Sequence, residues 1–218
     1  MSKQCLSESI SSASLYKFDK EMEKGREIAL IGIDEAGRGS LAGPVVAAAV
    51  CLDLDKLIEG VNDSKKLPAD RRCELYEKII SEALCWSTGF ASPEEIDKYN
   101  ILQATFLAMS RAVEKLELKW DLALIDGNKS IPQIEKEKQI SVVGGDAKSA
   151  SIAAASILAK VTRDRIMEEY HGKYPVYDFL NNKGYATEYH RNSIMKHGLS
   201  EIHRRSFCDF FLQTSLPL

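Results

Sequence analysis

The sequence has no apolar run long enough to cross a membrane. The longest run, residues 41–52, is interrupted by Gly43 and Pro44, whereas a spanning helix needs about 20 consecutive apolar residues. The first residues are polar and charged, and they contain no apolar stretch that could form the core of a secretory signal. These absences exclude a membrane-spanning protein and predict a cytoplasmic one.

The cysteines include no closely spaced pair. They are odd in number and far apart in the chain, and they form no Cys-x-x-Cys motif: Cys5, Cys51, Cys73, Cys85 and Cys208. Zinc sites and disulfide frameworks depend on such spacing. We therefore expect reduced thiols that bind no metal.

The overall positive charge typical of proteins that bind polyanions is also missing, since the formal net charge is −3. Residues 160–205 nevertheless carry nine Lys or Arg against six Asp or Glu, a local charge of +3, and contain all four histidines. A local basic surface can bind phosphate groups even in an acidic protein. On charge alone, a solvated helical surface is the simpler interpretation.

The composition, with 44% hydrophobic and 28% charged residues among 218, is that of a folded soluble domain. No internal repeat, low-complexity tract or linker divides the chain. We expect a polar, partly helical extension over residues 1–27, followed by one compact domain.

Apolar periodicity predicts a mixed sheet flanked by helices. Strands are expected at residues 28–33, 45–52, 85–91, 122–125 and 140–143. Helices are expected at residues 68–83, 92–118 with a bend near Tyr99 and Asn100, 151–169 and 187–197. The short connection between the first two strands favours antiparallel pairing.

Two of these strands are each followed directly by an acid. Asp34 follows the first strand, with Glu35 beside it, and Asp126 follows the fourth. Parallel pairing of the two strands would bring these acids together at the edge where α/β sheets bind ligands. Asp146, before the long helix, adds a further acid or serves as a helix cap near Ser149. Oxygen ligands of this kind suit Mg²⁺ or Mn²⁺ and two-metal phosphoryl transfer.

The glycines after Glu35 do not form a dinucleotide-binding motif. Their spacing is G-x-G-x-x-x-G, and Gly43 leads into an apolar run that is typical of a strand. Gly37 and Gly39 would let backbone amides approach a ligand closely, with Arg38 supplying charge. A tight turn between strands would need the glycines as well, but not the arginine.

The sequence resembles bacterial ribonuclease HII, the type 2 ribonuclease H, in seven ordered blocks. They are I-G-I-D-E-A-G-R-G (31–39), N-D-S-K-K-L (62–67), D-G-N (126–128), G-D (145–146), A-A-A-S-I-L-A-K-V-T-R-D (153–164), G-Y-x-T-x-x-H (184–190) and H-R-R-S-F (203–207). The resemblance implies a catalytic domain at residues 28–207 with C-terminal helices from about residue 171, and a tail at 208–218. It implies an α/β ribonuclease H-like fold with a five-stranded mixed sheet.

The resemblance also implies endonucleolytic cleavage of RNA in RNA/DNA hybrids and 5′ to single ribonucleotides in duplex DNA. Products would carry 3′-hydroxyl and 5′-phosphate ends. Two Mg²⁺ or Mn²⁺ ions would be held by Asp34, Glu35, Asp126 and Asp146. Substrate would be bound by Gly37, Arg38 and Gly39, which sense the 2′-hydroxyl, by Tyr185, which packs on the next deoxyribose, and by Lys65 and Lys66, which contact phosphates.

Alternatives remain at several of these points. Tyr185 could be a core anchor, and the lysines could be merely solvated. Asp164 is expected to pair with Lys160 on its helix rather than to bind metal. A ribonuclease HIII-like enzyme would carry an additional N-terminal domain, and a catalytically silent hybrid-binding module would gain nothing from clustered acids.

Residues 213–218, Q-T-S-L-P-L, resemble the Gln-x-x-Leu-x-Phe/Leu peptides that dock on bacterial sliding clamps. Gln213, Leu216 and Leu218 occupy the motif positions. A frayed apolar terminus is the alternative. The protein is otherwise expected to be a monomer with no membrane partner.

Overall fold

The computed structural model describes residues 3–25, 28–62, 64 and 67–213, with side chains described between residues 12 and 209. A five-stranded mixed sheet forms the centre, in the order β3-β2-β1-β4-β5. The strands are β1 (Leu30–Ala36), β2 (Val45–Cys51), β3 (Cys85–Ala91), β4 (Leu122–Asp126) and β5 (Gln139–Val142). β2 is antiparallel to β1 and β3, whereas β4 is parallel to β1 and β5. The expected fold class is confirmed.

Seven helices surround this sheet in the described part of the chain. They are α1 (Lys3–Glu23), α2 (Ala69–Glu82), α3 (Pro93–Glu114), α4 (Ala150–Lys173), α5 (Phe179–Asn182), α6 (Glu188–His197) and α7 (Arg205–Gln213). None of the helices among the described residues is both long and apolar enough to span a bilayer.

The bend expected within α3 is confirmed at Asn100, whose φ of 67° is not helical. The Asn100 side chain accepts hydrogen bonds from the backbone N–H groups of Leu102 and Gln103. Asn100 therefore caps the second segment of α3, because its short side chain replaces the missing helical acceptor. The first segment begins with a capping box formed by Ser92 and Glu95.

Helices cover both faces of the sheet. α4 packs on one face together with α1 and α2, and α3 covers the other. A Cβ atom at Gly32 of β1 would lie 2.1 Å from the Ser151 carbonyl carbon of α4. The absence of a side chain at Gly32 thus lets α4 lie directly on the central strand, which carries Asp34 two residues further along.

α1 is attached to this layer by buried side chains. Leu15 and Tyr16 belong to the core beside α4, and buried Asp19 accepts a hydrogen bond from the backbone N–H of Ser151. At the other end of the chain, α7 continues to Gln213, beyond residue 207. The division into extension, domain and tail remains a prediction.

A separate small core joins the C-terminal helices to the sheet. It consists of Leu41, Ala42, Met167, Tyr177, Phe179, Ile194, Ile202 and Cys208. Two of its members lie in the segment between β1 and β2, so this core places the C-terminal helices beside the loop that follows Glu35.

Candidate active site at the end of the central strands

The parallel register of β1 and β4 brings two acids to the same edge of the sheet. Ile33 pairs with Ile125, so that Asp34 and Asp126 each occupy the next position. β1 extends beyond the predicted strand because its antiparallel register with β2 continues to Ala36. Asp34 therefore lies within the strand and is only 4% exposed, while its backbone neighbours hold it rigidly.

Glu35 points to the opposite face of β1, since side chains alternate along a strand. Its carboxylate lies 3.1 Å from the Arg38 guanidinium. Glu35, Arg38 and Asp126 line a cavity of about 220 Å³ whose floor includes Phe106 and Met109 of α3. An acid from β1 and an acid from β4 thus face one open space.

Asp146 lies in a short 3₁₀ turn, Gly145–Ala147, directly before α4. The backbone N–H of Gly145 donates to Asp126 Oδ1 at 2.7 Å, which attaches this turn to the end of β4. The N-cap of α4 is Ser149, whose hydroxyl accepts from Ile152. Asp146 is therefore not the helix cap, and that alternative is wrong.

Asp34 is affected electrostatically by its burial and by the other three acids. Burial, followed by the charges of Glu35, Asp126 and Asp146, raises the pKa of Asp34 well above its ordinary value. The N–H of Glu35 donates to Asp34 Oδ1 at 2.7 Å and opposes this shift only in part. Carboxylates crowded in this way favour a bound cation, because a positive charge removes their mutual repulsion.

The donor set fits a hard divalent cation. All four predicted ligands offer oxygen atoms, which Mg²⁺ and Mn²⁺ prefer. Among the described residues, no three His, Cys, Asp or Glu side chains lie together in a way that could hold a metal ion by themselves. Mg²⁺ is commonly held by one or two carboxylates together with substrate phosphates, so the arrangement suits ions whose shell is completed by a nucleic-acid substrate.

Two buried arginines hold the segment after Glu35, which we call the glycine loop (residues 37–43). Arg204 donates to the carbonyl oxygens of Gly37, Arg38 and Gly43 at 2.7–2.9 Å. Arg163 donates to those of Ala42, Pro44 and Lys183 at 2.9–3.1 Å. Burial, followed by the charge of Arg163, lowers the pKa of Arg204 to about 9. These hydrogen bonds hold the loop on its buried side, and Arg38 and Gly39 remain exposed to solvent.

Tyr185 lies beside this loop. The backbone N–H of Leu41 donates to the carbonyl oxygen of the preceding Gly184 at 2.8 Å. Tyr185 is 38% exposed, with the Arg163 guanidinium 5.4 Å and the Lys160 ammonium 5.9 Å from the centre of its ring. The ring does not anchor a core, so the core-anchor alternative is wrong.

A family model described as Ribonuclease HII matches residues 31–210. The chain belongs to the ribonuclease HII family. It is 50% identical over 209 residues to the ribonuclease HII of Endomicrobium trichonymphae, covering 94% of this chain and 99% of that one. It is 53% identical over 178 residues to the enzyme of Vibrio vulnificus YJ016, covering 82% and 85%.

Solved structures agree with this assignment. The ribonuclease H2 of Pyrococcus horikoshii matches with a TM-score of 0.69 at 25% identity, covering 86% of this chain and 99% of that one. The ribonuclease HII in a PCNA complex from Archaeoglobus fulgidus matches with a TM-score of 0.65 at 29% identity, covering 81% and 93%. Bst ribonuclease HIII, at 18% identity and a TM-score of 0.67, shares the fold and is covered over 70% of its length.

Membership in the ribonuclease HII family makes this protein an endoribonuclease, a hydrolase that acts on RNA/DNA hybrids. Dependence on divalent metal is typical of this family. Identities of 50% and 53% to ribonuclease HII relatives, against 18% to Bst ribonuclease HIII, separate it from ribonuclease HIII. The silent-module alternative is likewise set aside by the family.

Lys65, Lys66 and residues 214–218 lie outside the described residues. Ser64, which precedes the lysines, is attached to α4 by a 2.5 Å contact between its hydroxyl and that of Ser156. The expected ion pair of Asp164 is confirmed, since Lys160 donates to it at 2.7 Å.

Arg163 and Arg204 have no role predicted from the sequence alone. Both lie in blocks that carry the family resemblance, which was the available signal. Their burial depends on main-chain carbonyls more than 100 residues earlier, and no local pattern reveals such a partner.

Proposed function

We propose that this protein nicks duplex DNA on the 5′ side of a single embedded ribonucleotide, in addition to cleaving longer RNA/DNA hybrids. The observation that carries the proposal is the common edge at which the acids of β1 and β4 adjoin a glycine loop held rigidly by buried arginines. Such a site can combine phosphodiester hydrolysis with recognition of one sugar.

Asp34, Glu35, Asp126 and Asp146 would hold two Mg²⁺ or Mn²⁺ ions, which when bound activate water and stabilise the leaving oxygen. The rigid β1 and β4 backbone fixes the first three carboxylates. The hydrogen bond from Gly145 to Asp126 fixes the position of the fourth relative to them. Preorganisation of this kind keeps the acids in place when the substrate phosphate arrives.

The glycine loop would read the ribose. Gly37, Arg38 and Gly39 would present backbone groups to the 2′-hydroxyl, the group that distinguishes RNA from DNA. A Cβ at Gly39 would meet no atom within 4 Å, so this residue leaves open space on the exposed side of the loop. Tyr185, whose ring is exposed next to the loop, would pack on the deoxyribose that follows.

Lys65 and Lys66 would contact substrate phosphates. Arg72 donates to the carbonyl oxygens of Ser64 and Leu67 at 2.9 and 2.8 Å, so the positions on either side of the lysines are attached to α2. Contacts to phosphates position a duplex without reading its sequence. Replacing both lysines with methionine should therefore raise KM for all substrates in proportion.

The decisive experiment uses a DNA duplex with one ribonucleotide, an all-DNA duplex and an RNA/DNA hybrid, each with Mg²⁺, Mn²⁺ or EDTA. We expect nicks 5′ to the ribonucleotide with 3′-hydroxyl and 5′-phosphate ends, only with metal. Comparison of the two metals identifies the preferred ion. Cleavage of the hybrid without nicking of the single-ribonucleotide duplex would contradict the proposal.

Tyr185→Ala is the matched variant for this assay. Its side chain is exposed, so we expect folding to persist while the preference for the RNA–DNA junction is lost. Equal loss of activity on the hybrid and on the single-ribonucleotide duplex would show that Tyr185 does not read the junction.

We also propose that residues 213–218 dock on the sliding clamp. The A. fulgidus relative was solved as a complex with its clamp, PCNA, and Gln213, Leu216 and Leu218 of this chain match the bacterial docking pattern. Deletion of these residues should abolish clamp affinity without changing nicking of free duplex. Unchanged clamp affinity would contradict the proposal, and scrambling the six residues is the control for composition.

The protein is further proposed to act in the cytoplasm as a monomer. Sedimentation at micromolar concentration should give a mass near 24.3 kDa, and cell fractionation should recover the protein with cytoplasmic markers. A stable dimer or membrane recovery would contradict these two points.

A further inference from the structure

A chain of hydrogen bonds runs through the C-terminal core from Tyr185 to Ser200. His190 Nδ1 is 2.9 Å from the carbonyl oxygen of Tyr185, and His190 Nε2 is 3.0 Å from His203 Nε2. His203 Nδ1 accepts from the backbone N–H of Ser200 at 2.9 Å. The two outer links are local in sequence, and the His190–His203 contact joins α6 to the segment that precedes α7.

The partners at the two ends of this chain determine both tautomers. A carbonyl oxygen only accepts, so His190 Nδ1 carries the proton and Nε2 of that ring is an acceptor. A backbone N–H only donates, so His203 carries its proton on Nε2 and donates to His190. Both rings are therefore neutral, and the contact between them has one possible direction.

Aromatic rings shield the pair from water. His190 is fully buried and His203 is 3% exposed. The Phe179 ring stands edge-on to His190 with centroids 5.3 Å apart, and Tyr177 does the same to His203 at 4.7 Å. In this environment burial lowers the pKa of His203 to about 4, which preserves the neutral form.

The segment that contains His203 is bonded directly to the glycine loop. His203 forms an isolated β-bridge with Ala42, and the adjacent Arg204 donates to the carbonyl oxygens of Gly37 and Arg38. His190 is bonded to the main chain of Tyr185. The His190–His203 contact is therefore a direct link between the segment that holds the loop and the segment that carries the tyrosine.

We propose that the His190–His203 contact sets the position of the Tyr185 ring relative to residues 37–39 and thereby determines selectivity for a ribonucleotide followed by a deoxyribonucleotide. The two histidines are positioning residues, since they act through Tyr185 and Arg204. The proposal rests on the proposed function of these two elements in reading the junction. A junction substrate needs both elements at a fixed separation, whereas a uniform hybrid offers no deoxyribose to Tyr185.

Two substitutions at His203 separate this role from general stability. In His203→Gln the terminal amide nitrogen takes the place of Nε2 and can still donate to His190. In His203→Asn the shorter side chain can reach Ser200 but not His190. The quantity measured is the ratio of kcat/KM for a single-ribonucleotide duplex to kcat/KM for a uniform RNA/DNA hybrid.

We expect His203→Asn to lower this ratio roughly tenfold, within the usual range of couplings between sites, and His203→Gln to retain most of it. The Asn variant should have no further effect in a Tyr185→Ala background, because the element being positioned is then absent. Phe179→Leu, a packing control in the same core, should lower Tm without changing the ratio.

The inference is overturned if the Asn and Gln variants lower the ratio equally, if neither changes it, or if the Asn effect persists with Tyr185→Ala. These outcomes are distinct from failure of the proposed function. If the wild-type protein shows no junction preference and Tyr185→Ala changes nothing, the ribose-reading function is wrong and the inference fails with it.

Discussion

Charged side chains are buried both at the end of the central strands and behind the glycine loop, but the groups around these charges differ. At the strand ends, burial and then the charges of three further acids raise the pKa of Asp34. Behind the loop, Arg163 and Arg204 are fully buried, and each donates to three neutral carbonyl oxygens. The acids repel one another, whereas the arginines are satisfied internally.

This difference indicates which charges act on a ligand and which maintain the fold. A buried charge with complete hydrogen bonding stabilises its surroundings, and removing it leaves its partners unsatisfied. A group of like charges is instead relieved by an external cation. The buried arginines therefore stabilise the loop from within, whereas the acids are the groups that we propose to face the substrate and its ions.

Asp126→Asn should impair catalysis by the acidic region without destabilising the protein. We expect turnover to fall by more than about a hundredfold, the upper range for residues that merely support metal ligands, while hybrid binding persists because repulsion toward phosphates is reduced. Turnover and equilibrium binding of an RNA/DNA hybrid are the measurements. Near-normal turnover would remove Asp126 from the catalytic set.

Arg204→Gln should destabilise the loop region. Three carbonyl oxygens lose their charged donor, and we expect the free energy of unfolding to fall by about 3 kcal/mol or more. Arg205→Gln, at an exposed neighbouring position, is the matched control and should stay within about 0.5 kcal/mol of wild type. Equal urea midpoints for the two variants would contradict the stabilising role of Arg204.

Substitutions at two glycines of the loop should distinguish a role in folding from a role in letting the ligand approach. Gly37 has a φ of +94°, and a Cβ there would lie 1.9 Å from Arg163 Nε, so Gly37→Ala should cost at least about 1–2 kcal/mol of stability. Gly39→Ala meets no such obstacle and should unfold like wild type while KM for the single-ribonucleotide duplex rises. A loss of stability in Gly39→Ala equal to that of Gly37→Ala would contradict this division.

The stability of the loop region should fall at acidic pH because of the histidine pair, and we call this decrease the acid limb. Burial lowers the pKa of His203 to about 4, below the ordinary value of 6.5. The unfolded state thus binds protons first, and this contribution to stability, present above pH 6.5, is lost as pH falls toward 4, at up to about 1.4 kcal/mol per pH unit. Urea unfolding between pH 7 and 4 measures this slope.

His203→Gln should flatten that acid limb relative to wild type. The exposed His197 supplies the control, since His197→Gln leaves the buried pair intact and should retain the slope. A wild-type slope in His203→Gln would indicate that the acid limb arises from other groups.

Much of the sheet was predictable because each strand has a recognisable local sequence pattern. The strand predicted at residues 85–91 is observed as Cys85–Ala91, and the two strands followed by Asp34 and Asp126 do pair in parallel. Apolar runs that stop at an acid carry this information without reference to the rest of the chain. The exact extent of β1 was not predictable, since it depends on how far β2 continues to pair with it.

The sequence by itself determined the fold class, the family and the identity of the clustered acids, because these are recorded in local periodicity and short ordered motifs. Only the tertiary structure decided that Arg163 and Arg204 are buried, that Tyr185 is exposed, and that His190 and His203 meet. Each depends on contacts between segments that are far apart in the chain, where side-chain geometry and exclusion of water, rather than residue order, determine which groups become partners.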